Sequence, residues 1–429
     1  MERKYLGELI DNGVINIAIG FPCGAHNDSG EGVPHIRPFN LGTNGNISLE
    51  QIKFIPVEIS EGKPTLHNGD ILFNNTNSKE LVGKCAVWNN DEPYVFSNHM
   101  TKISIKNKDK CNSNYLCYSI LHHWMTGKSM MLARAHVAQA SIIGERFKEI
   151  EVAWHSPLEQ DKIAQALRII QLTSTANERE LSGWSSLKHA TMHKLFTCGL
   201  RREAQKETEI GLVPESWEVE ELSAHHSVVS GGTPSRSQNE YWDGGTIPWV
   251  KTTEIAYCTI YQTEEYISGL GLAHSAAKIL PEGTLLLAMY GQGVTRGKVA
   301  LLGIEAACNQ ACAAIRPLDD IILTKYLYHF LTYRYDAIRV LAHGGQQQNL
   351  NLDIVKSLHI AFPQHTSEQQ EIVDILDAID RKIDLHRRKK AVLEELFKSL
   401  LHKLMTGEIR VDELNLSALE VPQQSGGAA

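Results

Sequence analysis

Apolar positions recur with helical spacing over two long stretches of the chain. In the C-terminal stretch, positions that step alternately by four and three residues are apolar at eight of ten places. These positions are Ile372, Leu376, Ile379, Ile383, His386, Lys390, Leu393, Phe397, Leu400 and Leu404. A seam sustained over several heptads predicts a coiled-coil helix, which we expect to end near Gly407.

The central stretch carries the same spacing 209 residues earlier. Its positions are apolar at both ends and polar in the middle, and they are Ile163, Leu167, Ile170, Ser174, Asn177, Leu181, Trp184, Lys188, Thr191 and Leu195. The C-terminal stretch is also polar past its middle, at His386 and Lys390. An antiparallel pair of helices brings the two polar regions together, where they fix the register. The alternative is that each helix packs on its own domain.

The shared offset belongs to an internal duplication. Residues 159–163 match 368–372 at an offset of 209, and 194–197 match 403–406. Upstream, residues 69–73 and 83–87 match 283–287 and 297–301 at an offset of 214. The triplet 97–99 is expected to match 308–310, at an offset of 211. The chain therefore reads domain, helix, domain, helix.

This duplication divides the chain into six segments. We expect a first domain at 1–155, a central helix at 156–200, a linker at 201–216, a second domain at 217–364, a C-terminal helix at 365–411 and a flexible tail at 412–429. Short apolar runs bounded by glycine and proline, such as 285–288 and 299–302, indicate strands, whereas 115–125 and 323–335 are typical of helices. The predicted fold class is α+β (mixed α/β), with two globular domains separated by two long helices that form an antiparallel coiled coil, duplicated about a pseudo-two-fold axis.

Composition narrows the class of protein. The chain has 429 residues, of which 42% are hydrophobic and 21% charged, as expected for a globular protein of two or three domains. No apolar run is long enough to cross a membrane, and no secretory signal follows the first residues. The 8 cysteines form no Cys-x-x-Cys pair, which favours reduced thiols and a cytoplasmic location. The net charge of −8 argues mildly against nucleic acid but does not say where the cations lie.

Motifs for catalysis are missing from the sequence. The glycine-rich run 291–299 has the wrong spacing for a phosphate-binding loop, and a valine stands where the hydroxyl is required. No two prolines are adjacent, which excludes the motif of adenine methyltransferases, and neither a His-Glu-x-x-His nor a Gly-x-Ser-x-Gly motif occurs. The chain is therefore predicted to be non-catalytic by itself, without a metal site.

Loops in both halves carry side chains suited to contacting DNA. Glycines allow close approach, hydroxyls and cations can contact phosphate, and amides can pair with adenine edges. In the second half the candidates are Thr233, Ser235, Arg236, Trp249, Lys251, Thr252, Gln292, Arg296, Lys298, Gln346 and Gln347. In the first half they are Arg37, Asn40, Asn74, Asn75 and Lys84. Each one alone fits an ordinary turn, but their recurrence in both halves favours binding.

Several of these stretches resemble a known family, the specificity (S) subunits of Type I restriction-modification systems. The resemblance is carried by Gly-Leu-Val-Pro-Glu-Ser-Trp at 211–217, Gly-Gly-Thr-Pro-Ser-Arg at 231–236, Tyr-Trp-Asp-Gly-Gly-Thr-Ile-Pro-Trp at 241–249, Gly-Gly-Gln at 344–346 with Asn-Leu-Asn at 349–351, Glu-Gln at 368–369, and Lys-Leu-Met-Thr-Gly-Glu-Ile at 403–409. It is weaker in the first half, where Ala135–Gln139 stands in place of the Gly-Gly-Gln loop.

The resemblance implies two target recognition domains, each reading one half of a bipartite, asymmetric site in double-stranded DNA. It also implies that the paired helices set the gap between the half-sites and that two methyltransferase (M) subunits and restriction (R) subunits assemble on the chain. S-adenosylmethionine, ATP and Mg would then be bound by those partners and not by this chain. Two other hypotheses stay open: a stand-alone DNA-processing enzyme with an unrecognised site, and a coiled-coil scaffold.

Overall fold

The computed structural model describes residues 2–291, 294–341 and 349–413. The described residues form two compact units. The first unit comprises residues from 1–180 and 386–429, and the second comprises residues from 181–385. The boundaries cut both long helices near their middles, so each unit contains half of each helix. Most of the predicted tail, 414–429, lies outside the described residues.

The first unit is a mixed α/β domain. Its strands are β1 (Glu2–Tyr5), β2 (Ile15–Ile19), β3 (Val33–Ile36), β4 (Lys53–Ile55), β5 (Ile71–Asn74), β6 (Thr76–Asn77), β7 (Cys85–Val87), β8 (Val95–Phe96), β9 (Met100–Ile105), β10 (Arg134–Ala135), β11 (Ala140–Ser141) and β12 (Glu151–Trp154). Its helices are α1 (Leu6–Asp11), α2 (Val57–Ser60), α3 (Ser113–Met125), α4 (Lys128–Leu132), α5 (Glu145–Lys148) and the first half of α6 (Pro157–Cys198). A short 3-10 helix, Pro38–Asn40, follows β3.

The second unit contains the same kinds of element. Its strands are β13 (Gln205–Thr208), β14 (Gly211–Pro214), β15 (Glu218–Glu221), β16 (His226–Ser230), β17 (Ile247–Val250), β18 (Thr259–Ile260), β19 (Glu265–Ile267), β20 (Leu285–Ala288), β21 (Val299–Leu302), β22 (Ala307–Cys308), β23 (Cys312–Pro317) and β24 (His359–Phe362). Its helices are α7 (Leu222–His225), α8 (Gly269–Ala273), α9 (Thr324–Tyr333), α10 (Tyr335–Leu341), α11 (Leu352–Lys356) and the first half of α12 (Thr366–Thr406). A 3-10 helix, Thr252–Glu254, follows β17.

The sheets repeat from one unit to the other. The four-stranded sheet β2-β9-β5-β7 has its counterpart in β16-β23-β20-β21, to which β18 is added. The three-stranded sheet β4-β3-β8 corresponds to β19-β17-β22, and the pair β1-β12 corresponds to β15-β24. In both three-stranded sheets one pairing is antiparallel and the other parallel. The duplication read from the sequence is therefore a duplication of topology.

One expected match between the repeats is shifted by a residue. The backbone N–H of Ser97 donates to the carbonyl of Ile36, and that of Asn309 donates to Val250 in the same place in the second unit. Ser97 therefore corresponds to Asn309 at an offset of 212, not to Cys308 as the sequence comparison suggested. The parallel pairing of β3 with β8, and of β17 with β22, sets the position of the turn that follows. The similarity of side chains, on which the sequence comparison relied, does not determine that position.

The two long helices, of 42 and 41 residues, pack antiparallel, as predicted. In the first unit the start of α6 shares a buried core with the end of α12, through Ile163, Leu167, Ile170, Phe397 and Leu404, with Leu393 and Leu400 partly buried beside them. In the second unit the end of α6 shares a core with the start of α12, through Leu195, Ile372 and Leu376. Of the remaining predicted seam residues, Ile379 and Ile383 are buried, and Leu181 and Trp184 are half-buried.

The polar middles of the helices meet as expected. In the first unit the Asn177 side-chain amide donates to the backbone carbonyl of His386 (2.9 Å), and its oxygen lies 2.8 Å from Nδ1 of that histidine. Lys390 forms an ion pair with Glu178 at 2.9 Å beside them. Asn177 is buried, so its pairing satisfies groups that would otherwise oppose the packing. Because Asn177 and His386 are equivalent in the repeat, this contact fixes the register of the helices.

A buried glutamine anchors the start of α6 to the first unit. Gln160 is fully buried and accepts a hydrogen bond from the backbone N–H of Asn112 at 3.0 Å. Its amide donates to the carbonyls of Lys110 (3.2 Å) and His155 (2.9 Å). One side chain therefore ties α6 both to the turn before α3 and to the end of β12.

Gln369 does the same for α12 in the second unit. It is fully buried and accepts from the backbone N–H of Leu323 at 2.9 Å. It donates to the carbonyls of Ile321 (2.7 Å) and Pro363 (3.0 Å). Three equivalent hydrogen bonds thus recur at an offset of 209, where the sequence showed only a matching Glu-Gln pair.

Candidate nucleic-acid interface

Three loops come together at one end of the three-stranded sheet in each unit. In the second unit these are the segment 231–246 after β16, the 3-10 helix after β17 and the turn 309–311 before β23. A Cβ at Gly231 would lie 2.0 Å from the carbonyl oxygen of Cys308, and a Cβ at the equivalent Gly20 would lie 2.2 Å from that of Phe96. Only glycine allows the backbone to approach so closely, and a glycine stands at this position in both units.

An indole pair supports Arg236 in the second unit. Trp249 is buried and donates from Nε1 to the carbonyl of Gly232 at 2.9 Å. Trp242 meets it edge-on, with ring centres 5.0 Å apart, and the Arg236 guanidinium lies 3.7 Å from the Trp242 centroid and 5.0 Å from that of Trp249. Stacking of this kind restrains a guanidinium and leaves its edge free for hydrogen bonds. Arg236 is itself exposed.

Acidic side chains lie beside the cations of this loop. The Arg236 guanidinium donates to Glu265, and Lys251 Nζ lies 2.7 Å from Glu264 and 3.1 Å from Glu265. These contacts hold the pKa of the Glu265 carboxyl below its usual value, chiefly through Arg236, and raise the pKa of Lys251, chiefly through Glu264. The 3-10 helix is held by Glu254, whose carboxylate accepts from the backbone N–H of Lys251 at 2.7 Å.

The corresponding loops of the first unit carry histidines and cations. His26 Nε2 lies 2.9 Å from His35 Nδ1, and burial lowers the pKa of His35 to about 4. Arg37 stands where the second unit has Lys251, and Asn40 accepts its backbone N–H at 2.9 Å in place of Glu254. Lys53 forms an ion pair with Asp28. An open groove runs between these loops, lined by residues of 22–26, 35–39 and 97–99.

Five predicted DNA-contacting side chains are instead buried within the fold. Asn40 donates to Ser48, Asn74 to Leu81, Asn75 to Thr101 and Lys84 to Leu41, while Trp249 bonds Gly232 as described. Burial lowers the pKa of Lys84. Because amides, cations and indoles also satisfy buried carbonyls, their presence in loop-like sequence did not distinguish structural from contact roles. The expectation that Asn40, Asn74, Asn75, Lys84 and Trp249 touch DNA is therefore not supported.

The other predicted residues are accessible or undescribed. Ser235 and Arg236 are exposed, and the half-buried ones are Arg37, Thr233, Lys251, Thr252, Arg296 and Lys298. Thr233 donates to Gln310 across two loops, and Lys298 lies 5.6 Å from the Tyr257 ring centre. Gln292, Gln346 and Gln347 lie outside the described residues. In the second unit the loops bring Thr233, Ser235, Arg236 and Lys251 together. In the first unit Arg37 occupies the position equivalent to Lys251.

Sequence reasoning missed Glu264, Glu265, Trp242 and His35, which complete these loops. Their signal is the strand register. Trp249 pairs with Glu265 across the sheet, and at the equivalent place in the first unit His35 pairs with Lys53. A comparison of the repeats at an offset of 212 would have aligned Lys53 with Glu265 and revealed the change of charge.

Across 2–291, 294–341 and 349–413, no group of three or more His, Cys, Asp or Glu side chains is arranged to hold a metal ion. Within that same part of the chain, no helix combines the length and apolarity that a membrane crossing requires.

Comparison with known sequences identifies relatives over most of the chain. The family described as "Type I restriction modification DNA specificity domain" matches residues 58–182 and 214–395. The putative type I restriction enzyme MjaX specificity subunit of Methanocaldococcus jannaschii is 26% identical over 348 residues, which cover 80% of this chain and 79% of that protein. The EcoR124I/EcoR124II specificity subunit of Escherichia coli is 31% identical over 153 residues, covering 35% of this chain and 37% of that protein.

Solved structures share the fold. The S subunit of a Type I restriction-modification system from M. genitalium superimposes with a TM-score of 0.63, at 13% identity, over 94% of this chain and 96% of that one. A chain from a study of complex assembly and conformational transition of the type I R-M system gives a TM-score of 0.51 at 15% identity, over 95% and 98% of the two chains. At these identities the likeness concerns the fold alone.

Proposed function

The chain belongs to the family of Type I restriction-modification specificity subunits, and from this premise we propose that it reads a bipartite, asymmetric DNA site, one half with each unit. The observation that carries the proposal is the pair of equivalent loop clusters. Each cluster lies on the corresponding three-stranded sheet of its own unit and has an equivalent close glycine contact, yet the two clusters present different side chains. Two half-sites of different sequence require two units with equivalent folds and different loop side chains.

Within this proposal the accessible cations supply affinity. Arg236, Lys251 and Arg37 are placed on loops, where a phosphate or a guanine edge can reach them. The net charge of −8 requires that binding depend on such local cations. The paired helices, with their register fixed by Asn177 and His386, would then set the gap between the half-sites.

Partner subunits would supply the chemistry. We propose that two methyltransferase subunits dock on the chain, that restriction subunits join them, and that S-adenosylmethionine, ATP and Mg are bound there. On α12, Val392 and Leu396 are 63% and 48% exposed, and large apolar side chains on an outer helix face suit a protein partner. The cytoplasmic location stays a prediction.

The proposal is tested by separating recognition from chemistry. The purified full-length chain, a methyltransferase subunit encoded beside it, and their complex are each incubated with host genomic DNA and labelled S-adenosylmethionine. We expect methyl transfer only from the complex, and at a discrete set of sites. Turnover by the chain alone, or a partner whose methylation pattern ignores this chain, would overturn the proposal.

A further inference from the structure

Glu265 lies at the centre of the charged cluster in the second unit. One carboxylate oxygen accepts from the Arg236 guanidinium, and the other lies 3.1 Å from Lys251 Nζ. The Glu264 carboxylate contacts Lys251, at 2.7 Å, but not Arg236, and its side chain is 66% exposed, against 29% for Glu265. Of these two carboxylates, Glu265 is the one that contacts both cations.

The Arg236 guanidinium is restrained beside this carboxylate. The Arg236 guanidinium is stacked on Trp242, and Trp242 is itself fixed by donation from Nε1 to the carbonyl of Ser235 at 3.1 Å. Glu265 begins β19 and pairs with Trp249 in the sheet, so its backbone is also held. The acid and the cations thus form a preorganised group whose members can exchange partners without large movements.

Such a group discourages unspecific binding to DNA. A phosphate that takes the donors of Arg236 and Lys251 now bonded to Glu265 leaves a carboxylate next to the negatively charged backbone. That displacement is repaid only where the DNA offers a hydrogen-bond donor to the released oxygen. In the major groove the donors are exocyclic amino groups, and carboxylates accept from cytosine N4 in particular.

We propose that Glu265 is a specificity-determining residue of the second unit, which accepts a hydrogen bond from an exocyclic base amino group, cytosine N4 above all, when DNA takes over Arg236 and Lys251. This inference rests on the proposed function. The first unit has no counterpart, because Lys53 occupies the equivalent position on β4. The first half-site is therefore read without this device.

Glu265→Ala removes both the shared counter-ion and the proposed acceptor. Glu264→Ala is the matched control, which removes a counter-ion of Lys251 but keeps the Arg236–Glu265 pair and the acceptor. Each full-length variant is assembled with the methyltransferase subunit. Binding is measured over a range of salt concentrations. The probes are duplexes carrying the site that the wild-type complex methylates, with every base pair of both half-sites substituted in turn.

For Glu265→Ala we expect tighter binding to substituted duplexes and a salt dependence steeper by about one phosphate contact. Discrimination at one position of the second half-site should fall by roughly 5- to 150-fold, the range of a specific base contact. Glu264→Ala should keep that discrimination within about twofold. Glu265→Gln, of the same size, should also bind substituted duplexes more tightly, which keeps the test decisive if the alanine variant does not fold.

Three results would overturn the inference. Discrimination at every position of the second half-site could survive Glu265→Ala. The two alanine variants could behave alike, which would reduce Glu265 to general charge. The loss could fall on the first half-site. A wild-type complex that prefers no site at all would instead refute the proposed function, so the two failures are distinguishable.

Discussion

The two units share a frame, meaning the arrangement of sheets and helices, and differ in the loop side chains that this frame carries. Gln160 and Gln369 make equivalent sets of three hydrogen bonds. The hydroxyls of Tyr115 and Tyr326 donate, each at 2.7 Å, to a backbone carbonyl of β12 and of β24 respectively. At the loop clusters the match ends. The first unit has His35 beside Lys53, and the second has Trp249 beside Glu265. Buried polar contacts thus preserve the fold, while the loops are free to diverge in charge.

The units also differ in the buried histidines whose pKa is strongly lowered. Of the described histidines, His35, His122 and His123 in the first unit have pKa values lowered to about 4, mainly by burial. In the second unit His226 is lowered to about 4 for the same reason. Because an unfolded chain protonates histidine near pH 6.5, each of these groups favours unfolding as the pH falls from 6.5 towards 4.

We therefore expect acid to weaken the first unit more than the second. Between pH 7 and pH 5 each of these four histidines removes up to about 2 kcal/mol of stability, so the three in the first unit remove up to about 4 kcal/mol more than the one in the second. Hydrogen exchange read by mass spectrometry at each pH, with rates corrected for pH, reports the units separately. His122→Phe should reduce the difference. Equal loss of protection in both units would show that these histidines do not distinguish them.

The shared frame predicts equal effects from equivalent substitutions. Gln160→Leu and Gln369→Leu each remove the partner of one N–H and two carbonyls, which costs about 1–3 kcal/mol for each group that stays buried. Chemical denaturation should show similar losses for both, with hydrogen exchange rising locally in the unit that was changed. As controls, Gln165→Leu and Gln370→Leu change exposed glutamines on the same two helices. A large loss in only one unit would mean that the duplicated contacts are not energetically equivalent.

The sequence predicted the frame better than the site. Heptad spacing and a constant offset were enough for the helices, because periodicity reports burial directly, as at Ile163 and Ile372. Polar side chains in loops were ambiguous, since Asn75 satisfies buried groups whereas Ser235 faces solvent. Nothing in local sequence indicated that Glu265 meets Arg236, 29 residues away. That contact depends on strand pairing, which only the folded chain supplies.

The most direct test of the account is the methylation pattern of the host genome. Long-read sequencing is applied to cells without this gene, to cells complemented with it, and to cells carrying a chimera in which residues 217–362 come from a relative. We predict that a bipartite motif disappears without the gene, returns with it, and in the chimera keeps one half-site while the other changes. A pattern indifferent to the gene, or a chimera that alters both half-sites, would contradict the central claim that each unit reads its own half of the DNA site.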